Sequence, residues 1–251
     1  AGPLATMTLA DLGAEVIKIE AGRYPDWWRG VNWSEEYIRT RQYENAKGFC
    51  ALNRGKQGVS LDLTTERGRQ SAIDLIARAD LVIENQAAGV MDKLGLGHAR
   101  LSQVNPALVM VSMSAFGTGN DWSDTRAYGS TLEQGAGLPS FMGFPHDPPT
   151  MYQLAYGDPV GGLFGCAAAL TALLARRTTG RGQYVNMSQV EAMLQFATPA
   201  LLAHQVDGAV VRRGNRHAVH VPHGIHRAAG DDQWLALSVH DDAAFGRLAQ
   251  L

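Results

Sequence analysis

Residues 151–190 read MYQLAYGDPVGGLFGCAAALTALLARRTTGRGQYVNMSQV. Asp158-Pro159 has the composition of a helix start, a carboxylate at the cap followed by proline in the first turn. From Val160 to Arg177 nearly every residue is apolar or small, which predicts a helix buried on most of its sides. Arg176 and Arg177 suit the negative end of its dipole, and Gly180 can stop it. Gln183 to Met187 then reads as a short strand. An acid on the rim of a buried helix, beside glycines, is either a cap or a reactive group.

Upstream, Gly2-Pro3 leads into an apolar helix, Leu4 to Leu12, closed by Gly13, and Glu15 to Glu20 alternates like a strand. Residues 21–50 read as irregular and aromatic, with Tyr24, Trp27, Trp28, Trp33, Tyr37 and Tyr43. Such a loop is either functional or partner-covered, or an aromatic cluster sealing a domain edge. The polar turn NRGKQG from Asn53 precedes a predicted strand, Val59 to Leu63. A helix (Thr65 to Ala79), a strand (Leu81 to Glu84), helices near 87–94 and around Leu101, and a strand (Leu108 to Ser114) follow. Short apolar strands alternating with helices predict an α/β layer with a mostly parallel sheet. Residues 117–127 read as loop, 129–138 as a short helix, and 139–150 as a proline-bearing loop.

Downstream, a helix is expected over 188–204, with Glu191 placed as in a capping box. Composition shifts at Asp207 into the polar linker RRGNRHAVHVPHG, then strands are expected at 219–229 and 234–239 around Gly230-Asp231-Asp232. The expected organisation is a large domain over 1–205, then a linker and the start of a smaller α/β domain over 206–251.

A chain of 251 residues with 45% hydrophobic content has material for one large domain or two smaller ones. The formal charge of −2, with both signs interspersed, argues against a general nucleic-acid or polybasic membrane surface. Cys50 and Cys166 form neither a disulfide framework nor a CxxC pair, which fits a reducing cytoplasm. No stretch reads as long and apolar enough to span a bilayer, because Arg176 and Arg177 end the best candidate. The chain opens AGPLATM and stops at Leu251 inside a helical pattern, so it reads as a piece of a longer protein.

Common chemistries find little support. No GxGxxG follows the first strand and no GxxxxGK[ST] occurs, so neither a dinucleotide nor a P-loop site is expected. His217, His220, His223 and His226 recur every third residue, but Pro222 and Gly224 oppose a helix there. A strand would send successive members to opposite faces, so no metal site is expected. GxSxG is absent, and Ser112 and Ser114 lie on a predicted buried strand. Asp158 remains. Gly161 and Gly162 remove side chains beside it, which lets a bulky substrate approach the backbone. The helix N-terminus offers amide donors for an oxyanion, and a carboxylate there can act as nucleophile or general base. Local pattern leaves cap and reactive group both open.

The ordered series AGPLATMTLADLGAEVIKIE, NRGKQGVSLDL, ADLVIENQAAGVMDKLGLG, NPALVMVSMSAFG, the helix opening at Asp158, TGRGQYVNMS and GNRHAVHVPHG resembles the family III CoA-transferases across essentially the whole chain. That group includes formyl-CoA and carnitine CoA-transferases, with the α-methylacyl-CoA racemases as close relatives. The resemblance implies a Rossmann-like large domain, a smaller second domain and an interlocked homodimer. It places the catalytic aspartate on Asp158, which attacks a donor acyl-CoA to give a mixed anhydride and free CoA thiolate. The thiolate then forms an aspartyl-CoA thioester, and an acceptor carboxylic acid repeats the steps in reverse, with no metal. Coenzyme A thus enters as substrate and product. The resemblance puts CoA contacts at Asn53, Arg54 and Lys56 in the NRGKQG turn, at Asn85 and Lys93, at Arg126 with the Tyr128 site, and at Arg29.

This chain departs from the pattern in places. The family's RPG is here Ala87-Ala88-Gly89, and its usual Tyr-Asp pair is Tyr128-Gly129. The glycine-rich loop that shields the intermediate in formyl-CoA transferase would fall near 217–221 and is absent. The racemases carry histidine as partner base where this chain has Tyr128, and a phenol with an unperturbed pKa of about 10 is a poor base at neutral pH. CoA transfer is therefore the leading expectation. Racemisation or epimerisation of 2-methylacyl-CoA, or a CoA-binding piece of a larger transferase–lyase, stands behind it.

Overall fold

The structure, a computed structural model, describes residues 1–30, 33–151 and 154–250. Helix α1 (Gly2–Asp11) has Pro3 in its first turn, where a missing N–H costs nothing, and the chain turns at Gly13 (φ 97°) into strand β1 (Val16–Glu20). The aromatic stretch predicted as irregular holds two 3-10 turns and two short helices, α2 (Glu35–Arg39) and α3 (Lys47–Asn53). Local caps start two of these pieces: Asp26 accepts the Trp28 N–H, and Ser34 accepts the Tyr37 N–H. Elements this short carry no readable hydrophobic period.

Strand β2 (Lys56–Ser60) begins three residues before its expected start at Val59. Then come α4 (Glu66–Ile76), β3 (Leu81–Glu84), α5 (Val90–Lys93), α6 (His98–Val104) and β4 (Val109–Ser112). After a loop come α7 (Gly129–Gly135), α8 (Leu138–Phe141), α9 (Gly157–Thr179), β5 (Gln183–Asn186) and α10 (Gln189–Asp207). The chain continues through β6 (His223–Arg227), β7 (Trp234–Ser238) and α11 (Asp242–Leu248).

The chain divides into two compact units, Ala1–Ala136 with Gln153–Gln195, and Gly137–Tyr152 with Phe196–Leu251. In the first, β1 pairs with β2 and β3-β4-β5 form a second sheet, all parallel. Strand β4 organises this unit, because both of its faces are buried. Val109, Val111 and Met113 face Ala5 and Leu9 of α1 and Cys166, Ala169 and Ala172 of α9. Leu108 and Met110 face Ile73 and Ile76 of α4 with Leu96 and Leu101. Helices on both faces of a parallel sheet give the expected Rossmann-like layering.

Helix α9 corrects one expectation. Its buried residues are small or slender: Val160, Gly161, Gly162, Gly165, Cys166, Ala169 and Ala172. Leu163, Phe164, Leu170 and Leu174 are 42–64% exposed, so the helix is buried on one side only. The small residues let it pack closely on α1 and β4, which leaves the larger apolar side chains outward. By length and composition this 23-residue helix also passes for a membrane span, contrary to the sequence reading, with 39% of its apolar window buried in the protein.

In the second unit, β6 and β7 form an antiparallel hairpin. The strand begins at His223 rather than at 219, and this changes which histidines meet. The rings of His217 and His220 stack at 4.3 Å, His217 lies 5.2 Å from His223, and His220 lies 4.3 Å from His240. His226 is replaced in the cluster by His240, which sequence spacing did not offer. Desolvation, with His217, His240 and His223 nearby, lowers the His220 pKa. No group of three His, Cys, Asp or Glu among the described residues is arranged to hold a metal ion.

Candidate active site

Asp158 lies in the first turn of α9, but it does not cap it. The N-cap is Tyr156, and no side chain of the helix makes a cap hydrogen bond. The Asp158 carboxylate instead turns across to two other helices. Its Oδ2 accepts the Gly129 N–H of α7 at 3.1 Å, and its Oδ1 lies 3.0 Å from the donating nitrogen of Ala1 at the start of α1. The side chain remains 45% exposed. A carboxylate held by a neighbouring amide and still open to solvent is placed to react.

The free amides of α9 are mostly occupied. Tyr156 N–H goes to Oε1 of Glu133 at 2.5 Å, Asp158 N–H to the Ala155 carbonyl, and Val160 N–H to the Tyr156 carbonyl. Pro159 has none to give. Gly157 N–H, in the same turn, is not among these occupied amides. The described donor to the carboxylate that does not depend on the chain start is Gly129 N–H. Just before the helix, Ala155 adopts φ 49°, a left-handed conformation that is unfavourable for alanine.

Glycines make the close approaches possible. A Cβ on Gly129 would sit 2.5 Å from the Ala155 carbonyl oxygen and 2.7 Å from Oδ2 of Asp158. One on Gly157 would meet the Gly129 carbonyl at 2.5 Å. Gly161 and Gly162 have packing reasons of their own. The first lies under the Gln189 side chain, and the second against the Ala1 carbonyl and Leu4.

The remaining predicted residues divide into those held internally and those left free. Asn85 ties the site together: its Oδ1 accepts the Gly2 N–H at 3.0 Å and its Nδ2 donates to the Met113 carbonyl at 2.8 Å. Asn85 thus holds the first nitrogen of α1. Lys56 Nζ donates to the Pro3 carbonyl (2.8 Å) and to Oδ1 of Asn53 (3.0 Å). Burial, then the nearby Lys18 ammonium, lowers its pKa to about 8. Arg54 pairs two-pronged with Asp11 at 3.0 and 2.6 Å. Arg29 pairs with Glu20 (2.5 Å) and Glu44 (3.0 Å) and lies over the Phe49 ring. By contrast, Lys93, Arg126 and Tyr128 are exposed, and neither cation has a side-chain partner among the described residues. Lys93 lines a cavity of about 440 Å³ with Glu84, Asp92, His98, Asp124 and Tyr184, whose walls do not include Asp158.

Sequence reading missed three residues at this site. Gly129 was noted only as a departure. Glu133, 2% exposed, was one charge in a short predicted helix. Gln189 donates to the same Met113 carbonyl as Asn85, at 2.7 Å, and its buried Oε1 has no partner. A charged residue in the motif GSTLEQGAG, four positions after its first glycine, was the available signal.

Comparison with known proteins identifies the family. A family model described as CoA-transferase family III matches residues 1–251. The chain is 33% identical over its whole length to succinyl-CoA–D-citramalate CoA-transferase of Chloroflexus aurantiacus, covering 61% of that protein. It is likewise 33% identical to acetyl-CoA:oxalate CoA-transferase of Acetobacter aceti, covering 62%. A crystal structure of a CAIB/BAIF family protein from Brucella suis superposes with a TM-score of 0.84 at 30% identity, over 99% of this chain and 65% of that one. The chain therefore spans about three fifths of the length of the curated relatives it matches. It belongs to CoA-transferase family III.

Proposed function

We propose that this chain carries the reactive centre of an enzyme that moves coenzyme A from an acyl-CoA to a carboxylic acid, with Asp158 as nucleophile. The observation that carries the reading is the Asp158 carboxylate itself, which takes no amide of its own helix, accepts Gly129 N–H and stays 45% exposed.

A carboxylate oxygen of Asp158 attacks the thioester carbonyl, forming a C–O bond as the C–S bond breaks and CoA leaves as thiolate. The thiolate attacks the Asp158 carbonyl carbon, and the donor acid departs as carboxylate. The acceptor carboxylate then attacks this aspartyl thioester, releasing thiolate again. The thiolate takes the acyl group from the new anhydride and frees Asp158. Each intermediate keeps one carboxyl activated, as an anhydride or a thioester, so the steps balance without ATP. When Oδ1 is the bridging oxygen, negative charge develops on Oδ2 as thiolate attacks, and Gly129 N–H already points at Oδ2.

In this reading the CoA contacts fall to exposed Lys93, Arg126 and Tyr128, and to Asn53, Arg54, Lys56, Asn85 and Arg29 where an incoming phosphate replaces part of an internal pairing. Residues 1–205 carry the CoA-binding and catalytic part, and 206–251 begin the small domain. The two relatives' names each pair an acyl-CoA with a small dicarboxylic acid, so that class is the first acceptor to test. An interlocked homodimer is also part of the proposal, and the apolar residues exposed along α9 favour further covering polypeptide.

The test is intact mass of the protein after incubation with a panel of acyl-CoAs, followed by hydroxylamine. A hydroxylamine-sensitive adduct on Asp158, absent from Asp158→Ala, is the expected result. No adduct, together with solvent deuterium entering the α-carbon of a 2-methylacyl-CoA, would replace transfer by racemisation.

A further inference from the structure

We propose that Glu133 is the positioning residue for the Asp158 nucleophile, acting through the backbone amide of Tyr156. The assignment rests on Asp158 being the attacking group.

Gly129 and Glu133 are four residues apart on α7, so they share one helical face. That face meets the first turn of α9 twice. Gly129 N–H holds Oδ2 of Asp158, and Oε1 of Glu133 takes the Tyr156 N–H. Burying a carboxyl is costly without compensating bonds, and an apolar side chain would fill the volume at less cost. What a strong acceptor adds is a partner for the N-cap amide of a 23-residue helix, whose first amides carry partial positive charge.

The identity of that amide matters. In a capping box, the acid at N3 reaches back to the N-cap N–H of its own helix. Here the N-cap is Tyr156, Asp158 stands at N2 and N3 is Pro159, so the first turn has no capping-box acid for the Tyr156 N–H. Glu133 supplies that acceptor from α7 and anchors the turn from which Asp158 faces Gly129. The same bond anchors the residue that follows Ala155, whose φ of 49° persists only where the surroundings impose it. Glu133 therefore fixes where α9 starts, and with it the place of the reactive side chain two residues on.

The experiment compares Glu133→Leu, Glu133→Gln and Glu133→Asp in the intact protein by single-turnover formation of the Asp158 adduct at saturating acyl-CoA, alongside CoA affinity. Leucine fills the volume without an acceptor, and an ångström of misplacement should slow acylation about 100-fold with CoA affinity unchanged. Glutamine keeps a neutral acceptor and should stay within about tenfold of wild type, with the same pH profile. Aspartate keeps the charge but falls about 1.5 Å short, and should resemble leucine. It decides the matter if the leucine protein does not fold. A wild-type rate in the leucine or aspartate variant overturns the assignment, and so does a glutamine variant as slow as leucine. A wild-type protein that acylates no Asp158 overturns the proposed function, and this assignment with it.

Discussion

Gly129→Ala is the most direct test of the carboxylate's support. The added methyl would lie 2.5 Å from the Ala155 carbonyl oxygen, 2.7 Å from Oδ2 of Asp158 and 2.8 Å from the Ala155 Cβ. Ordinary contacts with carbon need roughly 3.5 Å or more, so the neighbours must give by nearly an ångström. Two of the three atoms belong to Ala155, which already sits at φ 49° and has little room to adjust. The displacement therefore falls on Asp158 and on the Gly129 N–H contact. Overpacking of this kind costs about 1–3 kcal/mol of stability. Displacing a reacting group by about 1 Å costs on the order of 100-fold in rate. The assay is burst-phase acylation of Asp158 by stopped flow or quenched-flow mass spectrometry, with thermal unfolding and CoA binding measured on the same preparation. We expect slower acylation, a lower melting temperature and unchanged CoA affinity. A Gly129→Ala protein that acylates at the wild-type rate would refute the role given to this contact.

Two further outcomes follow from the charged residues. The Lys56 pKa is lowered to about 8 in the fold, so between about 8 and its usual value the unfolded chain binds a proton that the folded one does not. Stability should then rise relative to Lys56→Met as pH increases from about 8 to about 10.5, with no differential slope below about 8; urea unfolding across that range measures it. Arg54 is held by Asp11, whereas Lys93 and Arg126 have no side-chain partner among the described residues, so Lys93→Ala or Arg126→Ala should weaken CoA binding on the order of tenfold, and Arg54→Ala by less. Calorimetric titration with CoA would detect a reversed order.

The parallel layer was legible because its strands are strongly apolar and evenly interrupted by helices. Leu81–Glu84 was located to the residue. Strand β2 was displaced because KQGVS has no two-residue hydrophobic rhythm. Its register is set by pairing with β1, with Val16 opposite Lys56, and by Lys56 reaching the Pro3 carbonyl. The one-sided burial of α9 was illegible for a related reason: a run that is apolar all round does not say which face is the close-packed one. The histidines were misgrouped because their meeting depends on the turn back through β7, which brings in His240 from 20 residues beyond His220. Glu133 was hidden because a charge in a short helix usually faces water.

Asp158 could not be settled from local pattern because cap and nucleophile begin with the same residues. An acid followed by a helix-starting proline suits either role, and both benefit from the positive end of a long helix. The distinction lies in which acceptors meet the helix's opening amides. A capping acid spends its carboxylate on its own helix. Here the N-cap amide is met by a residue from α7, twenty-three positions earlier in sequence. The helix is capped and its acid is left over. The second acceptor comes from elsewhere in the fold, so the Asp158 carboxylate is spent on no amide of its own helix and is available for the proposed attack.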